Sequence, residues 1–256
     1  MAFTMSRTIN VHLLPELVSP GRLDGATAVV IDLLRASTTI AAALAAGAQC
    51  VIPCLDVDEA RRVAASVGAG AVLGGEREGL RIEGFDLGNS PAEYTRESVG
   101  GRTIVFTTTN GTRALAACGG AELVLLGALV NLSAVCRVLA ECPRVEFVCA
   151  GTRGEMTRED ALAAGAFVVR LQQMRGGEHA ALNDQAQLVV SDWLRTVAGD
   201  AGVAGQGALI EALRQSRGGR NLAAIHQDGD IALAAAIDSL DVVPRFDAGT
   251  GRITAL

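Results

Sequence analysis

The chain has 256 residues and a formal net charge of −6; half of it is apolar but only 3% is aromatic. That length suits one large α/β domain or two modest ones. The acidic balance disfavours nucleic acid and membrane surfaces as main partners, since both are bound through basic patches. All 22 basic residues are arginine, so lysine Schiff bases, a pyridoxal-phosphate anchor and a phosphate-loop lysine are excluded, and anion recognition falls to the bidentate guanidinium.

In chain order, the first twenty residues contain Glu16, Pro15 and Pro20 and lack the basic-then-apolar form of a signal peptide. Short β-branched runs follow at residues 9–14, 28–31, 50–54, 71–73, 103–106, 123–126 and 145–148. Alanine-rich segments of helical period lie between many of them, at 38–46, 57–66 and 132–141. Apolar strands without strict alternation, separated by helices, predict an α/β fold with a largely parallel sheet and helices on both faces. After Cys149 the pattern predicts helices over 158–174, 181–197, 207–216 and 231–237, punctuated by glycines at 176–177, 199–205 and 218–219. Two short runs, Val242-Val243 and 252–254, close the chain. The expected division is an N-terminal α/β domain over 1–130 and a helix-rich second α/β domain over 131–256.

Six cysteines form neither C-x-x-C pairs nor a secreted-type framework, so they read as small core residues. No apolar stretch has the length and purity of a membrane span. The chain is therefore expected to be a cytoplasmic protein with a small-molecule ligand; homo-oligomerisation stays open.

Three strands run into a polar turn and then a helix. They are Val29-Val30-Ile31-Asp32-Leu33-Leu34-Arg35, Val105-Phe106-Thr107-Thr108-Thr109-Asn110-Gly111-Thr112-Arg113 and Phe147-Val148-Cys149-Ala150-Gly151-Thr152-Arg153. Ligands of open parallel sheets bind beyond the strands' carboxyl ends, so strands sharing one direction would bring these turns to one crevice. Asp32 can hold a hard cation and Arg35 an oxyanion; the plain alternative is a salt bridge capping the next helix. Glu76-Arg77-Glu78-Gly79 alone reads more readily as a solvated loop than as a site. Residues 84–91 offer Asp86, Asn89 and Ser90, or a structural turn ending at Pro91. Thr157 and Asp160 have capping-box spacing, so Asp160 either supports a helix start or aims a carboxylate at the crevice.

Several mechanisms lack their residues. The position six after Cys149 is Glu155, not the arginine of a cysteine phosphatase, and Asp32 is not followed two residues on by a second Asp. No G-x-S-x-G elbow and no G-x-G-x-x-G after a strand is present. His12, His179 and His226 are scattered; His226 stands near Asp228 and Asp230.

Read jointly, the segment Val30-Ile31-Asp32-Leu33-Leu34-Arg35-Ala36-Ser37-Thr38-Thr39, Gly75-Glu76-Arg77 with residues 84–91, residues 107–113, and Cys149-Ala150-Gly151-Thr152 with Glu159-Asp160 resemble the 2-phosphosulfolactate phosphatase family. Ser216-Arg217-Gly218-Gly219-Arg220-Asn221-Leu222 with residues 238–244 extends that resemblance to nearly the whole chain. It implies a magnesium-dependent phosphomonoester hydrolase converting 2-phosphosulfolactate to sulfolactate and phosphate, a step toward coenzyme M synthesis. It also implies an α/β fold distinct from the common phosphatase scaffolds.

Within that frame, Asp32, Arg35 and Glu76 are the expected catalytic residues, with Asp32, Glu76 and Asp160 holding Mg²⁺. Arg77, Asn89, Ser90, Thr109, Asn110, Gly111, Thr112, Arg113, Gly151, Thr152 and Arg220 are expected to bind the anionic phosphorylated substrate, and Arg153 is a further candidate. A Mg²⁺-dependent lyase or isomerase acting on a phosphorylated acid, or a non-catalytic anion-binding module, are the rival readings.

Overall fold

Thr27–Ile31 is buried at every position, as an apolar strand covered on both faces must be. The computed structural model describes residues 7–176, 180–198 and 205–256; of the sequence readings, Gly177, His179 and residues 199–204 lie outside them. The strands are β1 (Thr8–His12), β2 (Thr27–Ile31), β3 (Cys50–Pro53), β4 (Ala71–Arg77), β5 (Leu80–Arg81), β6 (Thr103–Thr107), β7 (Leu123–Leu126), β8 (Arg144–Cys149), β9 (Ala181–Leu182), β10 (Pro244–Asp247) and β11 (Arg252–Ala255). The α-helices are α1 (Ala36–Ala45), α2 (Val57–Val67), α3 (Arg96–Val99), α4 (Gly111–Ala117), α5 (Leu132–Leu139), α6 (Arg158–Met174), α7 (Asp184–Ala198), α8 (Gln206–Gln215), α9 (Arg217–Ala224) and α10 (Gly229–Ala234). No described helix is long and apolar enough to cross a membrane.

The strands form one mostly parallel sheet in the order β5-β4-β6-β3-β11-β10-β7-β2-β8-β1-β9. β4, β6 and β3 are mutually parallel, as are β7, β2, β8, β1 and β9. Between the two blocks sits the hairpin β10–β11, antiparallel within itself and to both neighbours. Three reversals leave the blocks running in locally opposite senses. This corrects the premise that β2, β6 and β8 share one direction, although their turns do converge. Sheet twist is the physical route: five neighbour steps separate β6 from β2, and at roughly 20–25° per step they accumulate on the order of 100–125°.

Most expected elements stand within a few residues of their sequence positions. Three do not. The helix expected over 181–197 begins at Asp184, because Ala181 and Leu182 pair with Thr8 and Ile9. Val242-Val243 precede the closing strand β10 rather than form it. Gly218-Gly219, read as a break, lie inside α9. A Cβ at Gly218 would stand 2.2 Å from Glu159 Oε1, and one at Gly219 2.0 Å from the Leu213 carbonyl oxygen. These glycines therefore serve close packing, against a helix-propensity cost of about 1 kcal/mol each.

One buried carboxylate anchors the β1–β8 pair away from the crevice. Glu146, fully buried on β8, accepts from His12 Nε2 at 2.8 Å, Arg144 Nε at 3.0 Å and Asn10 Nδ2 at 3.2 Å, with Arg22 Nε also 3.2 Å away. Burial alone would push its carboxyl up, but the His12 and Arg144 hydrogen bonds and the Arg22 charge outweigh that and hold it below the usual range. A lowered folded-state pKa contributes stability above the unfolded carboxylate range, and that contribution is lost as pH falls through the folded value. Glu146→Gln is expected to cost about 3 kcal/mol at neutral pH, read by urea denaturation, with the gap to wild type narrowing below about pH 4.

Candidate active site

The crevice, about 310 Å³ in volume, is lined by the segments after β2 (Asp32, Leu34, Arg35), at the end of β4 (Glu76, Glu78, Gly79), after β6 (Thr108, Thr109, Asn110) and after β8 (Thr152, Arg153). Asn89 and one side of α9 (Arg217, Gly218, Asn221, Leu222) complete it, with Ala224 and Ile225. β4 and β5 form a hairpin whose turn, Glu78-Gly79, has φ of 55° and 83°. Two successive positive φ values mark a two-residue type I′ turn.

The acidic side chains here differ in how many oxygens they have left. Glu76 accepts the Gly79 N–H on Oε2 at 2.7 Å and the Thr109 N–H on Oε1 at 2.9 Å. Asp160 accepts the Leu33 N–H on Oδ1 at 2.8 Å and the Gly151 N–H on Oδ2 at 3.0 Å. Glu159 accepts the Gly218 N–H on Oε1, while its buried Oε2 has no hydrogen-bond partner among the described residues. Asp32 accepts the Ala36 N–H on Oδ1 at 3.2 Å. Its Oδ2 has no hydrogen bond among the described residues and faces Gly111, where a Cβ would stand 3.1 Å away. Asp32 is thus the buried carboxylate lining the crevice that keeps an open oxygen.

Arg35 does not pair with Asp32. Its Nη1 donates to Asp230 Oδ2 at 2.8 Å and to Gln227 Oε1, and its Nη2 donates to the Gly79 carbonyl oxygen at 2.7 Å. The side chain is only 3% exposed. At the rim, Arg153 pairs with Glu78 at 3.0 Å and Arg217 with Glu155. Arg153 also donates its backbone N–H to Asn110 Oδ1.

Of the expected site residues, the crevice brings together Asp32, Arg35, Glu76, Asn89, Thr109, Asn110 and Thr152, with Arg153. Others stand beside or behind it. Gly111 leaves room for Asp32, and Gly151, at φ 62°, donates to Asp160. Thr112 Oγ1 donates to the Thr108 carbonyl oxygen. Arg77 turns to Thr107 Oγ1 and to the Glu76 carbonyl oxygen. Ser90 Oγ donates to Asp230 Oδ1 at 2.6 Å, and Asp86 Oδ2 accepts the Leu73 N–H. Arg113 is exposed on α4, and Arg220 is exposed and donates to the Gln215 carbonyl oxygen. The capping-box reading of Thr157 and Asp160 fails: Thr157 makes no side-chain cap bond, and the Asp160 carboxylate is turned to the N–H groups of Leu33 and Gly151.

Gln227 was not singled out from the sequence; Thr108, Glu78, Arg217, Asn221 and Asp230 stood in or beside segments named there but were not among the expected site residues. The α9 residues were obscured by the glycine pair; the signal present was Ser216, whose side chain caps α9 by accepting the Gly219 N–H. Asp230 lies too far along the chain from Arg35 for any local pattern to join them.

Electrostatics follow from this crowding. The Asp32 carboxyl is pushed up to about 7, by burial first and by the Glu76 and Glu159 charges, while the Ala36 N–H and the Arg35 guanidinium pull it down. Burial, with the Asp32 and Glu159 charges, raises Asp160, and burial raises Glu159. The buried Cys149 thiol lies well above its ordinary value, from burial and the Asp160 and Glu159 charges; it is not a thiolate nucleophile.

Comparison with known proteins decides the lineage. A family model described as 2-phosphosulpholactate phosphatase matches residues 12–249. This chain belongs to the 2-phosphosulfolactate phosphatase family. A protein of Symbiobacterium thermophilum, named a probable 2-phosphosulfolactate phosphatase, is 40% identical over 229 residues, 89% of this chain and 94% of its own length. Proteins of the same name from Synechococcus sp. and Caldanaerobacter subterraneus are 41% identical over 237 residues and 37% over 226. The alignments cover 91% of this chain and 93% of the Synechococcus protein, and 88% and 89% for the Caldanaerobacter one.

A carboxyl whose folded pKa is raised is favoured by folding while it stays protonated, and that advantage is lost as pH rises from the unfolded value near 4 through about 7. Asp32→Asn is therefore expected to raise the melting temperature by several degrees at pH 8, with the gain shrinking toward pH 5. Differential scanning fluorimetry across that range checks the sign.

Proposed function

We propose that this protein hydrolyses a phosphate monoester of a small hydroxy acid, with 2-phosphosulfolactate as the substrate named for its relatives. The reading is carried by one juxtaposition: Asp32, with an unengaged carboxylate oxygen, lines the same crevice as Arg35, a guanidinium fixed by a buried ion pair. Phosphoryl transfer asks the protein mainly for positioning and for charge stabilisation, and the two residues answer those needs separately.

Arg35 Nη1 is fully occupied by Asp230 and Gln227. Its Nε–H has no partner among the described residues, and Nη2 keeps a second N–H; together they offer a fork for phosphoryl oxygens. Asp32 Oδ2 takes the proton of a water that attacks phosphorus while the ester P–O bond breaks and the leaving alkoxide gains a proton from solvent; alternatively Oδ2 attacks phosphorus itself, the hydroxy acid leaves by the same bond cleavage, and water then hydrolyses the aspartyl phosphate. The group must be ionised for either role, and a cation or guanidinium beside it favours that form. Glu76 holds the Gly79 and Thr109 backbones in place around the phosphoryl site. The rim guanidiniums of Arg153 and Arg217 are placed to receive the substrate's remaining anionic groups.

The donor set fits Mg²⁺ in its usual sparse mode, one or two carboxylates with water and substrate oxygens completing six positions. Among the described residues no three His, Cys, Asp or Glu side chains are grouped to hold a metal by themselves. Asn89 Oδ1, however, is buried in the crevice wall without a hydrogen-bond partner among the described residues, close to the open side of Asp32. Asn89 would hold the ion beside Asp32 and Glu76, with water and substrate oxygens making up the rest; bound there, Mg²⁺ would supply Lewis-acid stabilisation of phosphoryl charge.

Free phosphate release from 2-phosphosulfolactate is expected from the purified protein, lost with EDTA and restored by Mg²⁺. Asp32→Asn is expected to lower the rate by three orders of magnitude or more and Glu76→Gln by about 100-fold, with circular dichroism unchanged. Substrate consumption without phosphate release would point instead to a lyase or isomerase. Binding without turnover would point to an anion-binding module.

A further inference from the structure

The buried ion pair behind the crevice joins Arg35, from the turn after β2, to a residue outside the turns that first pointed to the site. Asp230 on α10 is 5% exposed. Its Oδ2 accepts from Arg35 Nη1 at 2.8 Å, and its Oδ1 accepts from Ser90 Oγ at 2.6 Å. Gln227, which precedes α10, takes the second Nη1 bond, and the Gly79 carbonyl oxygen fixes Nη2. Arg35 and Asp230 are 195 positions apart in the chain. Four segments thus meet on one guanidinium: the β2–α1 turn, the β4–β5 hairpin, the 84–91 segment through Ser90, and the start of α10.

We propose that Asp230 is a positioning residue for Arg35, held by Ser90 and assisted by Gln227, so that the guanidinium presents its Nε and Nη2 edge to the crevice. The assignment rests on the phosphatase reading of that crevice. A long arginine side chain has several rotamers, and each unfixed one reduces the fraction of enzyme in the productive geometry. A carboxylate on Nη1 and a carbonyl on Nη2 remove that freedom. They also bind two distinct edges of the planar group, which sets its plane as well as its place. Ser90, expected from sequence to touch substrate, instead orients the carboxylate that orients the arginine. Asp230 does not line the crevice, so it acts through Arg35 and not on the substrate.

The test compares wild type, Asp230→Asn and Arg35→Ala. Asp230→Asn keeps the side-chain shape and an acceptor oxygen, and is expected to lower kcat for 2-phosphosulfolactate on the order of 10- to 100-fold, with KM changed far less. Added guanidinium ion is expected to restore part of the turnover of Arg35→Ala, because the slot formed by Asp230, Gln227 and Gly79 survives. The Arg35→Ala/Asp230→Ala double variant is expected to show no such rescue. A purely structural role would lower the melting temperature while leaving kcat and the rescue intact. Wild-type kcat in Asp230→Asn, or equal rescue with and without Asp230, overturns the proposal. Should the double variant fail to fold, the kcat and KM of Asp230→Asn decide. If the wild type releases no phosphate from this substrate, the phosphatase reading falls on its own. Titration with inorganic phosphate then separates the two: weaker binding to Asp230→Asn than to wild type supports positioning, and equal binding overturns it.

Discussion

Buried carboxylates that accept backbone N–H groups hold this crevice together. Glu76 joins the β4–β5 turn to the segment after β6, Asp160 joins the turns after β2 and β8, and Glu159 takes the Gly218 N–H of α9. Hydrogen bonds to a charged partner contribute about 1.5–3 kcal/mol each. Glu76 and Asp160 each act within one block: β4 and β6 share a ladder, as do β2 and β8, and the carboxylate orders the turns beyond the ladder's end. With Glu76 bonded on one side and Asp160 on the other, the two blocks present their turns to a common space.

That arrangement has a cost, visible in the carboxyl groups themselves. Asp32, Glu159 and Asp160 are crowded away from water and all are raised above their ordinary range. A cluster of this kind destabilises the empty fold as it ionises. A bound cation or a neighbouring guanidinium offsets the same repulsion, so the feature that weakens the protein alone is the one that prepares it for a charged ligand. Arg35 is the resident countercharge, and its burial against Asp230 keeps it from collapsing onto Asp32.

The arginines divide by burial into two roles. Arg35 is 3% exposed and fixed at both Nη atoms. Arg153 and Arg217 sit at the rim in ion pairs with exposed glutamates, and such pairs are worth little in water. The deep guanidinium is suited to a fixed reacting group, and the rim pairs can exchange partners with an incoming anion at small cost.

Much of this was legible in the sequence. Hydrophobic runs located β2, β3, β6, β7 and β8, and alanine-rich periodicity located α1, α2 and α5, because local burial imposes a local pattern. The inventory of chemistry was equally plain: no lysine, no nucleophilic elbow, and acids and arginines after three strands. The identity of the partners was not. Whether Asp160 caps its own helix or reaches Leu33, 127 positions away, leaves no trace in spacing. Nor does the pairing of Arg35 with Asp230, or the placing of α9 as a crevice wall despite its two glycines. Sequence by itself determined the elements and the functional groups they carry. Tertiary structure alone decided which carboxylate keeps a free oxygen and which arginine is locked, because hydrogen-bond partners are chosen by proximity after the sheet twists its two blocks together.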